Sequence, residues 1–260
     1  MAEIKRVSDD YINNLSAEKG FSSILLLKDY YITALLYLLK DIKGIYFKGG
    51  TALNKIFLSY ARISEDIDLT LTRGLEDVKK EINEKIKESK LFETINEDKN
   101  VEGFTRVVVH YKGLSGEDGV IFLDLNQRGK LSLKPEEHKI AHFYKEYIPN
   151  FSFNTVCQEE IIAEKVAALV GRNKPRDHFD IYQILKKGMP INIGLVKKKC
   201  HDSGCDFSIV KIFNQGQKLH RRWHEDIAPL LAEEISYKEV MLTLAEFFKL
   251  KEEKEKLRKK

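Results

Sequence analysis

Two aspartates one residue apart, Asp66 and Asp68, head the apolar stretch Ile67-Asp68-Leu69-Thr70-Leu71. Side chains of an extended strand alternate in direction, so both carboxylates project from one face. Neighbouring carboxylates repel unless a cation sits between them, and hard divalent ions such as Mg²⁺ (or Mn²⁺) take oxygen ligands. Upstream, Ile45-Tyr46-Phe47-Lys48-Gly49-Gly50-Thr51-Ala52-Leu53 reads as a short strand that breaks at two glycines and restarts as a helix. Gly49 and Gly50 permit a tight turn and the close approach of a ligand. Thr51 is placed to cap the helix, whose free N–H groups favour phosphate. A phosphate cradle followed by a metal-binding Asp pair implies phosphoryl or nucleotidyl transfer, with the carboxylates as catalytic groups.

Further residues belong to the same reading. Asp124 lies inside the apolar run Val120-Ile121-Phe122-Leu123-Asp124-Leu125-Asn126. A carboxylate there is costly unless it is paired, bound to metal, or turned to solvent at a strand end. Arg62 and Ser64 precede the Asp pair. Arg makes bidentate phosphate contacts, so the two residues either bind triphosphate oxygens or pin the loop that presents Asp66. Lys48 either faces the phosphates or flanks them. A second constellation runs from Glu160-Ile161-Ile162-Ala163-Glu164-Lys165-Val166-Ala167-Ala168-Leu169 to Arg176-Asp177-His178-Phe179-Asp180. Lys165 is a cation on a largely apolar helix, and Asp177 and Asp180 fall at the start of the next one. There they suit the first turn of the helix as acidic groups, with Asp177 able to cap it and Asp180 to pair with Arg176 at i, i+4.

The order of these motifs resembles the polymerase-β-type nucleotidyltransferases. More narrowly, Lys48-Gly49-Gly50-Thr51-Ala52-Leu53, Arg62-x-Ser64-x-Asp66-x-Asp68, Glu164-Lys165-x-x-Ala168-Leu169 and Arg176-Asp177-x-x-Asp180 resemble the AbiEii/AbiGii toxin-type branch. The resemblance spans roughly residues 44 to 187 and leaves the last helices unmatched. It implies that Asp124 supplies a third metal-binding carboxylate from a neighbouring strand. Gly49, Gly50, Thr51, Arg62, Ser64 and Lys165 would bind the phosphates of an NTP, with Asp177 or Asp180 in support. It further implies transfer of a nucleoside monophosphate, with tRNA 3′ ends as the first candidate acceptor and an antitoxin protein as regulator.

These groups need a scaffold. Val78, Ile82 and Ile86 recur at helical spacing over Leu75–Ser89, and Thr105–Tyr111 and Val120–Asn126 flank a Gly-rich loop as hairpin strands. Beyond Pro149 the pattern is helix after helix. The reading is an α/β (α+β) nucleotidyltransferase domain with a short mixed sheet over 1–154, then an α-helical bundle over 155–260 that contributes to the active site. Within the bundle, Asp206 to Trp223 reads as one amphipathic helix.

Composition narrows the alternatives. With 43% hydrophobic and 32% charged residues the 260-residue chain is a globular protein, and a net charge of +4 permits nucleic-acid binding without arguing for it. Three cysteines make no disulfide framework and suit a reducing cytoplasm. Met1–Arg6 lacks a signal-peptide core, and the apolar run from Ile24 to Leu39 is interrupted by Lys28 and Asp29, so no membrane role is expected. Cys200, Cys205, His220 and His224 imitate zinc-finger spacing, but they lie on bundle helices and no strand pair follows Cys200. No P-loop and no Gly-x-Ser-x-Gly elbow occurs. Nucleotidyl transfer to a small hydroxyl compound or to a protein, and nucleotide binding without catalysis, remain the competing readings.

Overall fold

A computed structural model describes residues 4–259. Met1–Glu3, within the stretch read for a signal peptide, and Lys260 lie outside the described residues. The chain divides into two compact units, one ending at Cys157 and the other starting at Gln158.

The first unit opens with helix α1 (Asp9–Lys19), capped by the Ser8 hydroxyl and ended by Gly20 in the left-handed conformation. Helix α2 (Ser23–Leu39) is buried on nearly every side from Leu26 to Leu39. It packs on helix α4 (Leu75–Ser89) and on strand β5 (Asp118–Asn126). The amphipathic stripe Val78, Ile82 and Ile86 turns α4 onto the sheet.

That sheet is mixed and has seven strands. The others are β1 (Ile45–Lys48), β2 (Asp66–Leu71), β3 (Ile95–Val101), β4 (Phe104–Lys112), β6 (Glu136–Lys139) and β7 (Ser152–Thr155). Their order is β3-β4-β5-β2-β1-β7-β6, with β2 parallel to β5, β1 parallel to β7, and the other pairs antiparallel. The sheet exceeds the sequence expectation by the edge strands β3 and β6 and by the four-residue β7. The edge strands are polar and exposed, so they carry no apolar alternation.

Strand β1 runs into a helical turn, α3 (Gly49–Ala52), which continues as a π-helical turn over Leu53–Phe57. The π-turn carries Lys55 into the core, where its ammonium lies 2.6 Å from Asp29 Oδ1 with both side chains 2% exposed. Lys55 also donates to Thr33 Oγ1 (2.9 Å) and to the Tyr60 hydroxyl (2.6 Å). Asp29 Oδ2 in turn accepts from the hydroxyls of Tyr60 (3.0 Å) and Tyr144 (3.1 Å). A buried ion pair is tolerated when its remaining valences are filled in this way.

The second unit is helical: α5 (Gln158–Gly171), α6 (Pro175–Lys186), α7 (Ile193–Asp202), α8 (Ile209–Phe213), α9 (Gly216–Asp226), α10 (Tyr237–Phe247) and α11 (Leu250–Arg258). The expected single helix from Asp206 to Trp223 is instead two, the first starting only at Ile209, broken at Asn214-Gln215 just ahead of Gly216, where Asn and Gly disfavour a helix interior. Of the basic run Lys197-Lys198-Lys199, Lys199 is buried, bonded to Glu160 and to Glu164 (3.0 Å) across α5 and α7. Among the described residues no single helix is long and apolar enough to cross a membrane.

Candidate active site

The chemistry concentrates on one face of the first unit's sheet. Along β2, Ile67 and Leu69 are buried toward one side while Asp66 and Asp68 stand half-exposed on the other. Asp68 lies opposite Asp124 in the parallel β2–β5 pairing, and Asp66 opposite Phe122. Lys48 lies opposite Asp68 from β1, and Arg106 opposite Asp124 from β4. Residues paired in register share a face, so Lys48, Asp68, Asp124 and Arg106 form a transverse row across four strands. Its charges read plus, minus, minus, plus.

Asp124 is part-buried and paired. Arg106 grips it side-on, with Nε donating to Oδ1 at 2.7 Å and Nη2 to Oδ2 at 2.8 Å. Its guanidinium carbon also lies 5.0 Å from the centroid of the Phe122 ring. The hydrogen bonds it donates to Asp124, more than offsetting partial burial, keep Arg106 even more firmly protonated than usual. Arg106 is a residue that reasoning from sequence misses. A single Arg among valines carries no signal until the strand register is known.

The Gly turn is built against Asp68. Gly49 has φ +76°, and a Cβ placed there would lie 1.9 Å from Asp68 Oδ2. Thr51 does not cap the helix as expected. The N-cap is Lys48, which makes no side-chain cap bond, and the buried Thr51 hydroxyl donates to the Asp66 carbonyl instead. Asn54 adds a second tie, its amide donating to the Gly50 carbonyl (3.0 Å) while its Oδ1 accepts from the Arg62 N–H (3.2 Å). Arg62 is 2% exposed and donates to the Ile63 carbonyl at 3.0 Å. Ser64 stands half-exposed in the same loop. Turn, loop and strand are thus bonded together around the carboxylates.

In the second unit, Lys165 is 7% exposed, with its ammonium 2.9 Å from Asp180 and 3.3 Å from Asp177. Arg172 forks onto Asp177 with two 2.8 Å hydrogen bonds. Burial alone would push the Asp177 carboxyl up, but Lys165 and Arg172 outweigh it and hold the group well below the usual carboxylate range. Asp177 sits inside the first turn of α6 rather than at its cap, which is Lys174 ahead of Pro175. Of the zinc-like residues, the two cysteines are neighbours and the two histidines face other groups. Cys200 is buried beside Cys205, His220 packs on the Tyr237 ring and His224 faces Glu234.

Among the described residues no group of three or more His, Cys, Asp and Glu side chains is assembled as a metal cage. The donor chemistry of the β2 face nevertheless suits Mg²⁺, which commonly takes one or two protein carboxylates and fills its shell with water and substrate phosphate.

A family model described as "Nucleotidyl transferase AbiEii toxin, Type IV TA system" matches residues 34–253, extending past both ends of the 44–187 stretch that the motifs cover. No curated protein matches the chain by sequence. Among solved structures, the chain is similar to MenT4, a nucleotidyltransferase toxin from Mycobacterium tuberculosis H37Rv. That likeness has a TM-score of 0.67 at 19% identity, over 93% of this chain and 88% of MenT4. JHP933 from Helicobacter pylori matches with a TM-score of 0.57 at 18% identity, over 92% of this chain and 97% of its own. Both likenesses concern the fold.

Proposed function

The chain belongs to the AbiEii family of nucleotidyl transferase toxins of type IV toxin–antitoxin systems, and from that premise we propose that it transfers a nucleoside monophosphate from an NTP to the 3′ end of tRNA. The observation that best supports this reading is the in-register pair Asp68 and Asp124, with the Gly49 turn packed against Asp68. In the proposed reaction the acceptor hydroxyl oxygen bonds to the α-phosphorus as the bond to the pyrophosphate oxygen breaks. The hydroxyl proton leaves to solvent.

Asp66 and Asp68, joined by Asp124, would hold Mg²⁺. When bound, Mg²⁺ supplies charge neutralisation on the phosphates and acidifies the attacking hydroxyl. The protein's own part is orientation. Gly49 and Gly50 present backbone N–H groups to the phosphates and add no side-chain bulk. The Thr51 and Asn54 bonds keep that turn fixed relative to Asp66. Arg62, buried and donating to the Ile63 carbonyl, is taken as the pin of the loop that presents Ser64 to phosphate and Asp66 to the metal. Lys165, held by Asp180 and Asp177 at 2.9 and 3.3 Å, is the proposed triphosphate ligand that the helical unit contributes. An antitoxin protein is the proposed regulator, and the cytoplasm the proposed compartment.

The decisive experiment incubates the protein with Mg²⁺, each labelled NTP in turn and total tRNA, beside an Asp66→Ala control, and resolves the products on a denaturing gel. Label entering tRNA only with Asp66 intact supports the proposal. Label on protein or on a small hydroxyl compound instead would overturn the tRNA assignment. NTP binding with no label anywhere would overturn transfer itself.

A further inference from the structure

The transverse row holds a cation that the reaction scheme above does not use. Arg106 spends its side-on fork on both oxygens of Asp124, at 2.7 and 2.8 Å. Phe122, on the same face one alternate position before Asp124, backs the guanidinium at 5.0 Å. The Asp124 side chain is 14% exposed and the Arg106 side chain 33%, so the pair is shielded but not closed to solvent. An ionised carboxylate has about four lone-pair sites, two per oxygen. A bidentate Arg fills one on each oxygen and leaves the other two fixed in direction. It also places a full positive charge beside the oxygens that would take a metal, which weakens their hold on a second cation.

We propose that Arg106 is the positioning residue of Asp124: it fixes the direction of the unfilled lone pairs and restrains how tightly Asp124 takes a divalent ion. The inference rests on the reading of Asp124 as a metal ligand. It makes an unusual demand. Loss of Arg106 tightens metal binding while slowing turnover, whereas loss of a merely structural ion pair weakens both.

The test uses the full chain and Mn²⁺ alone as probe, with bound ion read by electron paramagnetic resonance. Turnover is read in parallel as pyrophosphate release with NTP and total tRNA. The variants are Arg106→Gln, Arg106→Lys, Asp124→Asn and the Arg106→Gln/Asp124→Asn double, each checked for fold by circular dichroism. For Arg106→Gln, Mn²⁺ binding is expected to tighten about threefold or more from the lost repulsion. Turnover is expected to fall about tenfold or more from the lost orientation, with the KM for NTP within about twofold. Arg106→Lys keeps the charge but not the fork. It is expected to bind Mn²⁺ like the wild type and still turn over slowly, so it carries the test should Arg106→Gln fail to fold. In the Asp124→Asn background, replacing Arg106 is expected to change neither quantity. Unchanged or weaker Mn²⁺ binding in Arg106→Gln, or an effect that persists in the double variant, would overturn the proposal. Asp124→Asn with wild-type metal binding and turnover would overturn the ligand reading and this inference together. Asp124→Asn impaired in both while both Arg106 variants behave as wild type would overturn this inference alone.

Discussion

Gly49 and Asp68 share one volume: the space a Gly49 side chain would need is filled by the Asp68 carboxylate, whose Oδ2 lies 1.9 Å from where a Cβ would stand. The glycine is therefore required twice, by its φ of +76° and by its neighbour.

Gly49→Ala is expected to lose nucleotidyl transfer almost completely and to lower stability by about 1–3 kcal/mol, from backbone strain plus the clash. Gly50→Ala, at a position without positive φ, is expected to cost less stability. Urea denaturation of the two variants side by side checks the contrast, and equal losses would contradict it.

Asp68→Asn separates function from stability. It is expected to reduce transfer on the order of 10²-fold or more, while relieving repulsion from the in-register Asp124. The thermal midpoint should hold or rise by a few degrees, the usual relation at a site where like charges are crowded. A midpoint that drops sharply would mean Asp68 is chiefly a structural residue.

Lys55→Met leaves Asp29 buried without its cation and should destabilise the first unit by about 3–5 kcal/mol. Pairing it with Asp29→Leu removes the orphaned charge, and the double variant should recover much of the loss. A double variant no better than Lys55→Met, compared by denaturant midpoint, would count against the network.

His142 gives the protein an acid-sensitive core. Burial, with the charge of Lys55 adding to it, pushes the ring pKa from the ordinary 6.5 down to about 4. The folded value lies below the unfolded one, so the unfolded chain takes up the proton first. This group leaves stability untouched above about pH 6.5 and removes it as the pH falls from there toward 4. His142→Phe, which keeps an aromatic ring near Tyr144 and Phe151, should lose less stability than the wild type between pH 7.5 and pH 5. Denaturant midpoints at the two pH values measure it.

Much of this was legible in the chain, and the remainder was hidden for physical reasons. Helix α4 falls at the residues its apolar spacing marks, and the hairpin strands β4 and β5 extend theirs by a residue or two at the ends. Strand β3 (Ile-Asn-Glu-Asp-Lys-Asn-Val) could not be read, because an exposed edge strand owes its existence to its neighbour's hydrogen bonds and not to its own hydrophobicity. The Gly turn and the Asp pair announce themselves by composition. The Arg106 grip on Asp124 depends on which residues of β4 and β5 stand opposite, a register fixed only by the fold. Nothing in the run Lys197-Lys198-Lys199 likewise singles out Lys199 until Glu160 and Glu164 are seen beside it.

The two stitches between turn and loop, Thr51 to the Asp66 carbonyl and Asn54 between Gly50 and Arg62, have a mechanical consequence. Neither segment can open without breaking bonds to the other, so the two breathe as one cooperative element. Amide hydrogens of Leu53 and Ile67, distant in the chain, should then exchange with deuterium at a common rate that neither segment would show alone.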